Sequence, residues 1–217
     1  MFVGHTAVAL AAKPYAPRAS LGALLAAAYT LDLVWPVLLM AGVETVRIDP
    51  GNTAFTALAF DSYPWSHSLL MAMVWGVVAA GIGWRFKLPR ATLIILWLLV
   101  VSHWVLDFIS HGPDMPLWPG HSPRLGLGLW NSVAATLVVE SAMLIAGIAI
   151  YLRSTRPRDR TGTIAFWTFI VVQLAMWASQ PWSPPPPSAR VLAWFGIGAW
   201  LFVAWAWWID RHREVLA

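Results

Sequence analysis

From Ala91 the chain reads ATLIILWLLVV, eleven residues without a charge, and runs directly into SHWVLDFISH, which carries two histidines and an aspartate. That juxtaposition limits the fold severely. A backbone in hydrocarbon has no water to bond, so an apolar run of this kind satisfies its own N–H and C=O groups as a helix. An ionisable side chain within it costs ~2.5 to 3.5 kcal/mol and needs a partner. Comparable runs recur along the chain: 59% of the 217 residues are apolar and 11% charged, and the mean hydropathy is +0.65, outside the range of an ordinary soluble domain of this size. The expected fold is an all-α, polytopic transmembrane bundle of about six to seven membrane helices, a short N-terminal one included. It forms one integral membrane domain over residues 1–217, with 1–125 the half that carries the polar residues and 126–217 supporting helices.

In chain order, residues 1–12 (MFVGHTAVALAA) carry His5 and are too short to cross a ~30 Å hydrocarbon core. Lys13 follows the run rather than preceding it, so a secretory signal is not expected and the segment reads as a retained helix packed in the bundle. Residues 19–43 form a second helix with Asp32 deep in AAYTLDLVWPVLL, and Pro36 predicts a kink one turn later. The polar stretch 44–65, with Glu44, Arg47, Asp49, Asn52 and Asp61, reads as an external loop. It ends in PWSHS, where His67 opens a third helix to about Phe86. The fourth helix is the run described above. The proline-rich stretch 112–125 is a loop, a fifth helix from about Gly126 to Leu152 holds Glu140, and a sixth covers 161–180. Pro184 to Pro187 make an extended connector before a Trp-rich, lipid-facing seventh helix over 189–209; the 16 Trp of the chain suit anchoring at membrane interfaces.

The cations are unevenly placed. Eleven of the 14 Lys and Arg fall in 13–18, 85–90, 153–160 and the C-terminal segment, leaving Arg47, Arg124 and Arg190 on the alternate connections. The bias predicts an N-terminus outside and a C-terminus in the cytoplasm, in a bacterial or archaeal plasma membrane. The net charge of +4 and pI near 10 thus reflect topology, and no nucleic-acid partner is expected.

His103, Asp107 and His111 are spaced by four residues, so on a helix each step turns by only ~40° and the three share one stripe. By this topology His5, His67, His103 and Asp107 fall in the outer half of the bundle and Asp32 near mid-depth. The absence of cysteine excludes disulfides and thiolate ligation. His5, Asp32, His67, His103 and Asp107 therefore make a candidate ligand set, drawn from four helices, for one or two Zn²⁺ or similar ions. An ion with an open position activates water and stabilises an oxyanion or phosphate. His111, Asp114 and Glu140 are further candidates, each with a plain reading as a loop or interhelical polar group. Ser66 and Ser68 beside His67, with Ser102 and Ser110 on the fourth helix, are supporting hydrogen-bond partners or helix caps. His121 reads as a loop polar group.

GHTAVAL at the N-terminus, the Asp in YTLDLVWP, SHS at a helix start, and HWVLDFISHG before a proline-rich loop resemble the membrane-bound metal-dependent hydrolases of the YdjM type, over roughly residues 1–125. The order His, Asp, His, HxxxD is also similar to the zinc-dependent phospholipases C. The likeness implies that His67, His103 and Asp107 hold one zinc, that Asp107 bridges to a second bound by His5, and that Asp32 is a ligand or the general base. The downstream His and HxxxE pair of the soluble enzymes have no counterpart; His111, His121 and Glu140 lie there without that spacing. The leading expectation is a hydrolase acting on a phosphoester at the extracytoplasmic side, with catalytic residues Asp32, His67, His103 and Asp107 and membrane lipid as surroundings and candidate substrate. A transporter of metal ions or protons, and a non-catalytic scaffold with a structural metal site, are the alternatives.

Overall fold

A computed structural model of the chain describes residues 1–216 and is 67% helical. The short α1 (Val3–Ala12) is followed by α2 (Leu21–Ala28) and α3 (Thr30–Met40), then by an antiparallel hairpin of β1 (Thr45–Ile48) and β2 (Leu58–Ser62). One turn of helix, α4 (Pro64–His67), leads into α5 (Leu69–Arg85) and α6 (Arg90–Ser110). A two-residue pairing of β3 (Met115–Pro116) with β4 (Arg124–Leu125) precedes α7 (Val133–Ser154), β5 (Thr155–Pro157), α8 (Arg160–Ser179), α9 (Ala189–Ile197), α10 (Ala199–Arg211) and β6 (Arg213–Val215), which pairs with β5.

Among the described residues four helical stretches are long and apolar enough to cross a membrane: Arg90–Ser110, Val133–Ser154, Arg160–Trp182 and Ala189–Arg211. Less than half of each apolar window is buried in the bundle, so apolar side chains such as Ile94, Val138, Ile164 and Leu201 face outward, as a hydrocarbon solvent favours. The pair α2 and α3 makes a fifth span if counted as one, although it is bent by 58°.

Polar caps set several boundaries. Ser20, Ser68, Ser132, Asp159 and Ser188 each accept an N–H three residues on, starting α2, α5, α7, α8 and α9. The fifth helix therefore begins at Val133 and not near Gly126, where Gly128 takes φ +74°. The stretch 44–65, read as a loop, contains the β1–β2 hairpin. The long helix expected over 19–43 is broken at Tyr29 rather than kinked at Pro36, which α3 accommodates. Tertiary hydrogen bonds hold that break: the Ala28 carbonyl accepts from His103, and the Tyr29 hydroxyl bonds Thr6 and Gln173.

The bundle is organised around α1. Eight of its ten residues are buried, and it packs against α2, α6, α7 and α8. Small residues permit the approach. A Cβ added to Gly147 of α7 would lie 2.5 Å from the Ala7 carbonyl oxygen, and one added to Gly22 would lie 2.9 Å from the Trp207 Cα.

The two ends differ in kind. At one, β5 and β6 join residues 155–157 to 213–215, and Lys13 Nζ donates to Asp210 (2.7 Å), which gathers three of the basic segments. The fourth, 85–90, precedes the start of α6, about 30 Å along that helix from Ser110. At the other end the hairpin and the 112–131 loop are tied by Phe55 N–H to the Trp130 carbonyl (3.0 Å) and Arg124 to the Asp61 carbonyl (2.8 Å).

Gly147→Leu forces α1 and α7 apart and lowers stability by about 1 to 3 kcal/mol, read as thermal unfolding in detergent. At Gly81, where an added Cβ meets nothing within 4 Å, the same substitution leaves the transition in place.

Candidate metal centre

Five side chains from α1, α3, α4 and α6 converge at the hairpin end. The four-residue spacing on α6 puts His103 and Asp107 one turn apart, and both are buried. The α1 helix brings His5, the last residue of α4 is His67, and the break at Tyr29 restarts the chain so that Asp32 falls in the first turn of α3. Asp107 is central. Its Oδ1 lies 3.1 Å from His5 Nε2, and its Oδ2 lies 3.1 Å from His103 Nε2 and 3.7 Å from His67 Nε2. Asp32 approaches from the other side, with Oδ1 3.5 Å from His67 Nε2 and Oδ2 3.7 Å from His103 Nε2. The side chain of Asp32 is 42% exposed, whereas that of Asp107 is 3% exposed, so Asp32 stands at the mouth. The His5 and His103 rings stack at 3.7 Å. The Met1 amino group rests against Asp107 Oδ1 and lies 3.0 Å from Ser110 Oγ.

Two overlapping groups have ligand atoms within 4.8 Å of one another: His5, His103 and Asp107, and Asp32, His67 and His103. The donor geometry suits a cation. His103 Nδ1 lies 2.7 Å from the Ala28 carbonyl oxygen, which only accepts, so Nδ1 carries a proton and the neutral form of the ring offers its lone pair at Nε2. That nitrogen is fully buried and faces two carboxylates, Asp107 Oδ2 at 3.1 Å and Asp32 Oδ2 at 3.7 Å, with no well-formed hydrogen bond among the described residues. His5 Nδ1 is likewise unpartnered. The single His103 lone pair serves one ion, whereas the two oxygens of Asp107 can serve both groups. Among the described residues these groups could hold a divalent ion by geometry and donor type.

The remaining candidates lie elsewhere. His111 does not continue the α6 stripe as the spacing implied: Pro113 closes the helix, Ser110 is its last residue, and His111 is extended (ψ 157°). It lies 3.1 Å from Asp114 Oδ1, which also accepts from the Tyr63 hydroxyl at 2.8 Å. Burial first, then the Asp114 carboxylate, holds the Tyr63 hydroxyl protonated well above its usual range, so it stays a donor. Glu140 sits apart from the cluster and accepts the Phe2 and Gly4 N–H groups (2.9 and 3.2 Å), binding the start of α1. Ser68 caps α5, Ser102 donates to the Leu99 carbonyl, and exposed His121 offers its carbonyl to Trp118. Ser66 does meet His67, with Oγ 2.7 Å from Nδ1.

Sequence reasoning left out Glu44, buried against Ser66 (2.6 Å), and the ring formed by Thr6, Tyr29 and Gln173, whose hydroxyl and amide groups lie 2.7 to 3.2 Å apart. Glu44 stood among loop residues that are otherwise solvated, and its partner lies 22 residues away. A mid-helix Gln173 was a visible signal, since an amide in an apolar span needs a partner.

Asp107→Ala removes the carboxylate that faces His5, His67 and His103; the expected outcome is a loss of more than about 100-fold in affinity for zinc as the probe ion, read by competition with a chromophoric chelator. His111→Ala leaves the affinity unchanged. Comparison with known protein families, characterised proteins and solved structures finds no match.

Proposed function

We propose that this chain is a membrane hydrolase of the YdjM type that holds one or two divalent ions, zinc by donor type, and cleaves a phosphoester. The reading is supported above all by the convergence of three imidazoles on two carboxylates, with His103 Nε2 buried between Asp32 and Asp107 without a well-formed hydrogen bond. Acceptors that face one another in an apolar bundle need a proton or a metal cation between them, and a set of this size and type suits the metal. Imidazole and carboxylate donors without thiolate favour zinc over softer ions.

His5, His103 and Asp107 would hold one ion, and His67 and Asp32 would help to hold a second. A bound divalent ion supplies positive charge that makes water more acidic and offsets charge gathering on a phosphoryl group. Asp32, the exposed carboxylate of the set, would accept the proton of an attacking water. The stacked rings of His5 and His103 close the floor of the site. A phospholipid headgroup at the extracytoplasmic surface is the substrate this reading favours, because the cluster lies at the end of the bundle away from most of the cations. In the same topology α1 and α5 complete a set of six to seven membrane helices, with α1 short and interior.

The test is a screen of purified protein against phosphodiester and phospholipid substrates, with and without chelator. Chelator-sensitive hydrolysis that Asp107→Ala abolishes is the expected result, and Asp32→Asn lowers kcat by about 10²- to 10⁴-fold. Full turnover in Asp107→Ala contradicts the proposal. Ion flux into liposomes without hydrolysis points to a transporter, and a chelator-dependent fall in thermal stability with no turnover of any substrate points to a scaffold.

A further inference from the structure

We infer that Glu44 is a positioning residue for the metal centre: acting through Ser66, it fixes which nitrogen of His67 carries the proton and so keeps Nε2 free to bind a divalent cation. The role in metal binding rests on the proposed function. The location of the proton belongs to the metal-free protein and can be measured without any ion.

Glu44 lies between α3 and β1, directly before Thr45, and is only 1% exposed. Pro64 at the start of α4 has no N–H, so the next two backbone donors, Trp65 and Ser66, begin the turn unpaired within it. Both donate to Glu44 Oε1 at 2.8 Å. The other oxygen, Oε2, lies 2.6 Å from Ser66 Oγ, which lies 2.7 Å from His67 Nδ1.

The direction of this chain follows from proton counting. A serine hydroxyl has one proton, and an ionised carboxylate only accepts. The 2.6 Å contact therefore uses the Ser66 proton. Toward His67 the hydroxyl oxygen can then only accept, so Nδ1–H donates and the neutral imidazole presents a bare Nε2. That nitrogen faces Asp32 Oδ1 at 3.5 Å and Asp107 Oδ2 at 3.7 Å, lengths that leave room for a cation between acceptors.

His103 achieves the same end by a simpler route, because its Nδ1 meets a backbone carbonyl that cannot donate. A hydroxyl can face either way. Ser66 alone would leave the His67 tautomer undecided, and the buried Glu44 carboxylate removes that freedom.

Glu44→Gln tests this with little change of shape. The amide oxygen keeps the Trp65 and Ser66 N–H bonds, while the amide nitrogen donates to Ser66 Oγ. The released hydroxyl proton then has His67 Nδ1 at 2.7 Å and the Tyr63 carbonyl at 3.3 Å, and the shorter contact takes it. His67 must then carry its own proton on Nε2. The ¹⁵N spectra of side-chain-labelled histidine in metal-free protein distinguish the tautomers, and His67→Asn identifies the resonance among the six histidines. The expected result is Nδ1–H in the wild type, Nε2–H in Glu44→Gln, and a mixture in Ser66→Ala, which keeps the Glu44 bonds to α4.

Zinc affinity gives a second readout. Glu44→Gln weakens binding by about 10- to 100-fold. Removing the hydroxyl as well, in Glu44→Gln/Ser66→Ala, restores affinity to that of Ser66→Ala alone. A purely structural role for Glu44 would give an unchanged tautomer and losses that add, and either result overturns the inference. So does Nε2–H in the wild type. Wild-type protein that binds no zinc yet shows the tautomer change refutes the metal-dependent function and leaves the proton assignment standing.

Discussion

Three imidazoles and two carboxylates converge near one end of an apolar bundle, and much of the architecture serves to bring them there. The Ala28 carbonyl binds His103 through Nδ1 and so turns Nε2 toward Asp107 and Asp32. Taking ionised carboxylates out of water costs several kcal/mol each unless opposite charge is supplied. The Met1 amino group against Asp107 supplies part of that charge, and a divalent cation held by the neutral imidazoles would supply more, which makes the cluster the strongest pointer to function in the molecule. It also explains why α1, only ten residues long, occupies the centre: His5 reaches Asp107 only from there.

The break between α2 and α3 is the second structural commitment. An uninterrupted helix would bond the Ala28 carbonyl internally and carry Asp32 on a continuous apolar face. The break frees that carbonyl for His103 and places Asp32 in a first turn beside His67. The bonds that hold it come partly from the second half of the chain, through Gln173 of α8, which meets both Tyr29 and Thr6. Glu140 of α7 ties down the start of α1. Residues 126–217, read from sequence as support, thus act on the site through two buried polar anchors.

Much of this was legible in the sequence because helical periodicity and the cost of charge in an apolar run are local properties. The pair His103 and Asp107 follows from spacing alone, and the class of fold follows from composition. His111 was misplaced by the same spacing, since the proline that ends α6 acts one residue earlier than the periodicity admits. The break at Tyr29 was invisible because its causes are tertiary, while Pro36 offered a local reason for a kink that α3 absorbs. Glu44 was hidden for a similar reason: its burial depends on α4 folding back beneath it, and nothing in the neighbouring polar residues separates it from them.

X-ray absorption at the zinc K edge of the zinc-loaded protein tests the central claim most directly, because it reports the atoms around the ion without reference to any substrate. The expected spectrum shows a nitrogen and oxygen shell at ~2.0 to 2.1 Å with strong imidazole scattering from His5, His67 and His103, reduced when any of the three is replaced. A shell without imidazole scattering, or one unaltered by those replacements, contradicts the claim that these side chains form a metal centre.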